Sequence, residues 1–107
     1  MSNSLLIAIL TDDVTDSALD IAEQEGIHGV TILPASGISQ VPIKIFFGLT
    51  FKKSMSVLLW ITETERANKT AKLFNDKLNL ASPHQGLAFT LPLDQLYGLN
   101  LKSSTQR

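Results

Sequence analysis

The sequence of 107 residues contains no cysteine, no block of like charges and no apolar run long enough to cross a bilayer. The missing cysteine excludes disulfide bonds, thiolate metal ligands and thiol catalysis. Nine basic and ten acidic residues are spread along the chain, so there is no basic surface for nucleic acid. A membrane-spanning helix needs about 18 or more apolar residues in succession. We therefore expect a soluble, cytoplasmic protein that binds no nucleic acid and does not insert directly into a membrane.

What the sequence does contain is one pattern that occurs twice: an apolar strand, an amphipathic helix and a second strand. The ranges are 5–10, 12–25 and 30–33 in the first copy, and 57–61, 62–78 and 87–91 in the second. Two such units predict an α+β fold, the ferredoxin-like β-α-β-β-α-β sandwich, with an antiparallel sheet and both helices on one face. We expect residues 1–107 to form a single domain that ends in a flexible polar tail at 102–107.

Both predicted helices carry a start signal and an apolar face. Asp12 and Asp13 are predicted as N-terminal caps of the first helix, which should stop at Gly26. The sequence TETE at 62–65 is a capping-box pattern that predicts the start of the second helix. The apolar residues at helical spacing are Val14, Ala18, Ile21 and Ala22 in the first helix, and Ala67, Ala71, Phe74 and Leu78 in the second.

The first and third of the four strands are apolar without alternation. In a ferredoxin-like sheet these two strands are central, and the helices cover only one face. Strands with this pattern are normally buried on both faces. We therefore expect the face without helices to pack against other subunits. Trp60 and Phe89 are candidates for that contact, and the alternative places them under the helices.

The two halves are joined by a long insertion, residues 36–54, where a hairpin connection needs about two to five residues. It contains the apolar run IKIFFGL at 43–49. Long connections with apolar side chains are typically functional, so Ile45, Phe46 and Phe47 are candidate partner-binding residues. The alternative is a short helix at Ile45 and Phe46 that packs on the sheet edge.

Three phrases resemble the PII-like signalling proteins, trimeric relatives of the nitrogen regulatory protein PII, and the similarity covers about residues 4–99. TILPASG at 31–37 resembles their junction between a strand and the T-loop, FGL at 47–49 resembles the return of a shortened T-loop, and HQGLAF at 84–89 resembles the start of the final strand after the B-loop. The resemblance implies a non-enzymatic regulatory homotrimer. It also implies an adenine nucleotide (AMP, ADP or ATP) in clefts between subunits, and a regulated protein bound by the T-loop at 36–54.

Carried over by position, the resemblance implies four ligand-binding residues. Ile9 and Thr31 would contact the adenine, Gly37 would let the loop backbone approach the nucleotide, and Gly86 would belong to the B-loop. Glycine fits these roles because it lets the backbone approach a ligand without side-chain obstruction. Taken alone, Ile9 also fits core packing, and Thr31 also fits an ordinary strand position.

The sequence departs from the nitrogen regulatory PII proteins where they bind phosphate. Leu87 stands at a lysine-like position, and the only arginines are Arg66 and Arg107. Charge-assisted hydrogen bonds are the strongest contacts that such a site can make with a triphosphate. We therefore expect ATP to bind little better than AMP.

Other functions are less well supported by the sequence. His28 and His84 lack any ligand spacing, so no metal site is expected, although a metal-linked trimer like the CutA proteins shares this architecture. Acylphosphatases use this fold with an arginine in the first strand-to-helix loop, which here is the acidic sequence TDD at 11–13. We expect no catalytic residues. A structural interaction module without a ligand stays open as the main alternative.

Overall fold

The computed structural model describes residues 2–35, 54–80 and 86–98, together with the backbone of 45–46 and 49–50. The elements in chain order are β1 (Asn3–Thr11), α1 (Asp12–Gln24), β2 (Thr31–Ala35), β3 (Ile45–Phe46), β4 (Leu49–Thr50), β5 (Met55–Glu63), α2 (Thr64–Lys77) and β6 (Gly86–Leu93). Four of the strands form an antiparallel sheet in the order β2-β5-β1-β6, and β3 pairs with β4. The predicted α+β ferredoxin-like fold is confirmed, with the two long apolar strands at its centre.

The hydrophobic core lies between the two helices and one face of the sheet. Leu6 and Ala8 of β1 are opposite Trp60 and Leu58 of β5, and all four are buried against the helices. The Trp60 ring lies 5.4 Å, centroid to centroid, from the ring of Phe74 in α2. The predicted helix faces are confirmed, since their members are buried in this core or packed against it. The assignment of Trp60 to a subunit contact is wrong, because its register with Leu6 turns it towards the helices.

The end of α1 is a Schellman motif. Gly26 has φ +87°, and its amide donates to the carbonyl of Glu23 at 3.0 Å. The amide of Ile27 donates to the carbonyl of Ala22, also at 3.0 Å, and the Ile27 side chain is buried. The prediction that Gly26 stops the first helix is therefore confirmed.

Both helices begin by donating a backbone amide to a neighbouring segment of the chain. The amide of Asp12 donates to the carbonyl of Ser54 at 3.3 Å, and the amide of Thr64 donates to the carbonyl of Ser2 at 3.1 Å. These bonds satisfy one of the free amides that every helix start presents.

The predicted capping residues are therefore wrong. Asp12 is the first residue of α1 rather than its cap, and Thr62 belongs to β5. The cap positions are Thr11 and Glu63, and neither side chain makes a capping hydrogen bond. The predicted range 12–25 begins where α1 begins, whereas the range 62–78 begins two residues before α2, because β5 runs directly into that helix.

In both halves, the side chain of the first helix residue is hydrogen-bonded to a serine of the other central strand. The Ser56 hydroxyl donates to Asp12 Oδ1 at 3.1 Å, and the hydroxyls of Ser4 and Thr64 are hydrogen-bonded at 2.8 Å. Ser56 follows Ser54 by two residues, as Ser4 follows Ser2. The repeat in the sequence is thus also a repeat in how each helix start is tied to the other central strand.

Candidate functional site

The face of the sheet that carries no helix, here called the helix-free face, is apolar across all four strands. Residues opposite one another in antiparallel strands share a face, so the register defines its members. The large apolar residues on it are Leu5, Ile7, Ile9, Leu33, Met55, Val57, Leu59, Ile61, Leu87, Phe89, Leu91 and Leu93. Leu33 and Leu91 are each 47% exposed. An apolar surface of this extent is typical of a surface that binds another protein chain.

Ile9 lies on the central strand β1 in the middle of the helix-free face. It is half-buried and stands opposite Val57 of β5 and Leu87 of β6. It is partly accessible from outside the chain, and both of its cross-strand neighbours are apolar. The proposed adenine contact would therefore be a hydrophobic one.

Gly86, the first residue of β6, lies directly against the backbone of β1. It has φ +143°, and a Cβ atom at this position would lie 2.4 Å from the carbonyl oxygen of Ile9 and 2.8 Å from Cδ2 of Leu10. Real Cβ atoms essentially never approach other atoms so closely. The structure therefore requires glycine here for strand pairing, and it brings two of the predicted ligand-binding residues together.

Thr31 lies at the start of the edge strand β2, exposed and opposite Leu59. It shares the helix-free face with Ile9, but β5 runs between their strands. Two strand spacings and an offset of two residues place their Cα atoms roughly 12 Å apart. Within one chain, the two predicted adenine contacts are on the same face but do not converge.

The remaining predicted residues belong to the insertion or its junction. Gly37 and Phe47 lie outside the described residues. Ile45 and Phe46 form β3, which pairs with Leu49 and Thr50 of β4. The alternative of a short helix at Ile45 and Phe46 is therefore wrong.

The chain leaves the sheet after Ala35 and re-enters it at Met55, directly after Ser54. We call Ala35, Ser54, Met55 and Ser56 the foot of the insertion. Met55 is opposite Ala35 on one side and Thr11 on the other, and it is buried. An open pocket of about 360 Å³ lies here. Its lining residues are Asp12, Pro34, Ala35, Ser54, Met55 and Ser56.

Positive charge in the described part of the chain is confined to α2. Its four cations are Arg66, Lys69, Lys72 and Lys77. Two of them form ion pairs, Lys69 with Glu25 at 3.3 Å and Lys72 with Asp76 at 3.9 Å. Because α2 packs on the other side of the sheet, the described part of the helix-free face carries no cation. Leu87, which stands at the lysine-like position of the nitrogen regulatory PII proteins, lies opposite Ile9 on this face.

The structure describes one of the two histidines considered as metal ligands. His28 is exposed in the loop after α1, and His84 lies outside the described residues. Within residues 2–35, 54–80 and 86–98, no three His, Cys, Asp or Glu side chains are grouped so as to hold a metal ion. No helix in the same ranges is long and apolar enough to cross a membrane.

Sequence reasoning missed two features of this region. It did not identify Leu33, Val57 and Leu59 as members of the helix-free face, because strand register was needed to assign them. It also did not connect Asp12 with the foot of the insertion. The sequence contained one signal for this contact, the polar residue Asp12, but the pattern predicted it as the N-terminal cap of the first helix.

The fold is shared with known structures, although no protein-family model and no curated protein sequence matches the chain. One similar structure is a protein from Thermus thermophilus described as a PII-like signalling protein, with 14% identity, 87% of each chain covered and a TM-score of 0.65. Another is CPII from Thiomonas intermedia, a nitrogen regulatory PII-like protein bound to ADP, AMP and bicarbonate. It is 17% identical, with 92% of this chain and 98% of CPII covered, and a TM-score of 0.65.

A third structure with this fold is a functionally unknown protein from Pediococcus pentosaceus. It is 18% identical, with 92% of this chain and 99% of that chain covered, and a TM-score of 0.63. At these identities the comparisons establish the fold. The resemblance to PII-like signalling proteins drawn from the sequence is confirmed at that level, over most of the chain.

Proposed function

We propose that this chain is a non-enzymatic, cytoplasmic PII-like regulatory protein that works as a homotrimer. It binds an adenine nucleotide in the clefts between subunits and a regulated protein through the T-loop-like insertion at 36–54. The observation that carries the proposal is the apolar helix-free face, on a fold shared with a nucleotide-bound PII-like protein.

The homotrimer accounts for the composition of the central strands. A sheet with water on one face normally alternates apolar and polar residues. Here Ile9, Val57 and Leu59 are apolar and only half-buried, and no described helix covers them. Burying such side chains contributes about 25 cal/mol per Å² of apolar surface removed from water. Three sheets facing one another would provide that burial.

The nucleotide assignment is supported by CPII, whose structures hold ADP and AMP. In this chain Ile9 offers an apolar surface for a purine, and Thr31 offers an exposed hydroxyl for its edge. Because the two residues are separated within one chain, a cleft between subunits is the arrangement that could bring Ile9 of one copy near Thr31 of another. Gly37 and Gly86 are the proposed backbone contacts.

Calorimetry with AMP, ADP and ATP tests the ligand. We expect binding by the native assembly, and weaker binding by Thr31→Val, which removes the hydroxyl without changing the side-chain shape. Thr90→Val is the matched control, because Thr90 is a strand threonine on the helix side of the sheet. Absence of binding at millimolar nucleotide, or equal affinity in Thr31→Val and the wild type, would reject the assignment.

The partner surface is tested separately. The apolar side chains of Ile45, Phe46 and Phe47 are the proposed contacts, because apolar residues on a long connection indicate binding. We expect Phe46→Ser and Phe47→Ser to lose a bound partner in pull-down while light scattering still reports the trimer. Partner binding that survives in both variants would locate the contact elsewhere.

A further inference from the structure

We propose that Asp12 is a positioning residue for the insertion, holding its returning end against the start of α1. The proposal rests on the proposed function only in assigning partner binding to the insertion. The tie itself is a property of the free chain.

Asp12 contacts the returning segment at two points that flank Met55. Its backbone amide donates to the carbonyl of Ser54, the last residue of the insertion, at 3.3 Å. Its carboxylate oxygen Oδ1 accepts a hydrogen bond from the hydroxyl of Ser56 at 3.1 Å. Met55 itself is buried between β1 and β2 partners. The foot of the insertion is therefore held from β2 by strand pairing and from α1 by Asp12.

The cap position of α1 explains why Asp12 is available for this role. Thr11 makes no side-chain capping bond, so the first amide of the helix is satisfied by Ser54. The sequence pattern predicted that the Asp12 carboxylate caps the helix, but Asp12 is the first residue of α1 and does not occupy the cap position. It points its acceptor at the strand that follows the insertion instead.

The second half of the fold contains the same arrangement. There Thr64 contacts Ser2, which precedes β1, and Ser4 of β1. The arrangement is thus part of the fold's internal repeat. In the first half, this arrangement lies where the chain enters β5 from the proposed partner-binding segment. Asp12 itself follows Ile9 of β1 by three residues. Asp12 consequently links the strand of the proposed ligand contact to the end of the insertion.

Limited trypsin digestion of the full-length protein tests the tie, because the insertion contains Lys44, Lys52 and Lys53. Under native conditions the cleavage rate follows the population of the locally opened state. We expect Asp12→Ala to raise cleavage in the insertion about three- to tenfold, the range expected for losing one net hydrogen bond. Ser56→Ala should raise it to a similar extent, and the double variant should add little more.

Two further variants separate the hydrogen bond from charge. Asp12→Asn keeps an acceptor for the Ser56 hydroxyl, so we expect it to stay close to the wild-type rate. Asp16→Ala removes an exposed acidic group one turn later in α1, and we expect no change. The proposal would be overturned if Asp12→Ala were cleaved at the wild-type rate, or if Asp16→Ala were cleaved as fast as Asp12→Ala. It would also be overturned if Asp12→Asn were cleaved as fast as Asp12→Ala. Since no nucleotide is present, these results are independent of whether adenine nucleotides bind.

Discussion

Gly86 lies so close to Ile9 that no side chain fits between them: a Cβ atom on Gly86 would be 2.4 Å from the Ile9 carbonyl oxygen. Gly86 itself is opposite Leu10 of β1, and the next residue, Leu87, is opposite Ile9. Any ligand contact by Gly86 would therefore come from a residue that the sheet already requires to be glycine.

Replacing Gly86 with alanine is expected to destabilise the fold strongly. The added methyl group meets backbone and Leu10 side-chain atoms at a positive φ, so we expect a loss of about 3 kcal/mol in the free energy of unfolding. Gly29 is the matched control, since its φ is +83° and no atom of the described residues lies within 4 Å of an added Cβ. Gly29→Ala should lose only about 1 kcal/mol, the conformational cost alone. Urea denaturation measures both, and equal losses would contradict the close approach.

Thr70→Val is expected to stabilise the protein. Thr70 of α2 is fully buried, and its hydroxyl finds no hydrogen-bond partner among the residues that the structure describes. Valine has a similar shape without the polar group, so we expect a gain of about 1 kcal/mol in thermal or urea unfolding. The control is Thr15→Val, because the Thr15 hydroxyl donates to the Thr11 carbonyl. That variant should lose stability, and a loss in Thr70→Val as well would mean that the hydroxyl has a partner.

The proposed trimer can be tested with two neighbouring residues of one strand. Leu33 is 47% exposed on the helix-free face, and Ile32 is 45% exposed on the other side of the sheet. Light scattering should give about 35 kDa for the wild type, three times the chain mass of 11.7 kDa. Leu33→Lys should shift the assembly towards the monomer because it buries an unpaired charge, whereas Ile32→Lys should not. A wild-type monomer, or no difference between the variants, would reject this interface.

The nucleotide preference follows from the charge distribution. Every cation of the described residues is on α2, across the sheet from Ile9. We therefore expect the affinities for AMP and ATP to agree within about threefold, because ATP gains no charge-assisted bonds at such a surface. Raising the salt concentration should change both little. A gain of tenfold or more for ATP that disappears in salt would indicate phosphate-binding cations outside the described residues.

The double variant Lys69→Gln and Lys72→Gln serves as the control for that measurement. Both lysines are exposed on α2 and pair with Glu25 and Asp76. Their removal should leave the affinities for AMP and ATP unchanged. Loss of ATP binding in this variant would place the phosphates on the helix side of the sheet.

The sequence was most informative where a pattern repeats over many residues. The apolar positions of α1 and α2 gave the correct helix faces, since spacing along a helix decides which residues meet a common neighbour. It was less informative where the outcome depends on register. Trp60 and Phe89 are both aromatic strand residues, yet Trp60 is opposite Leu6 on the helix side and Phe89 is opposite Ile7 on the helix-free face.

By itself, the sequence determined the ferredoxin-like arrangement, because the order of strands and helices and their apolar faces allow few other packings. It also determined that the central strands β1 and β5 carry apolar residues on both faces. Only the tertiary structure decided that Asp12 holds the returning end of the insertion and that Gly86 meets the Ile9 carbonyl. Asp12 and Ser56 are 44 positions apart in the sequence, and Ile9 and Gly86 are 77 positions apart. Each pair is brought together only when β1, β5 and β6 pair in one register.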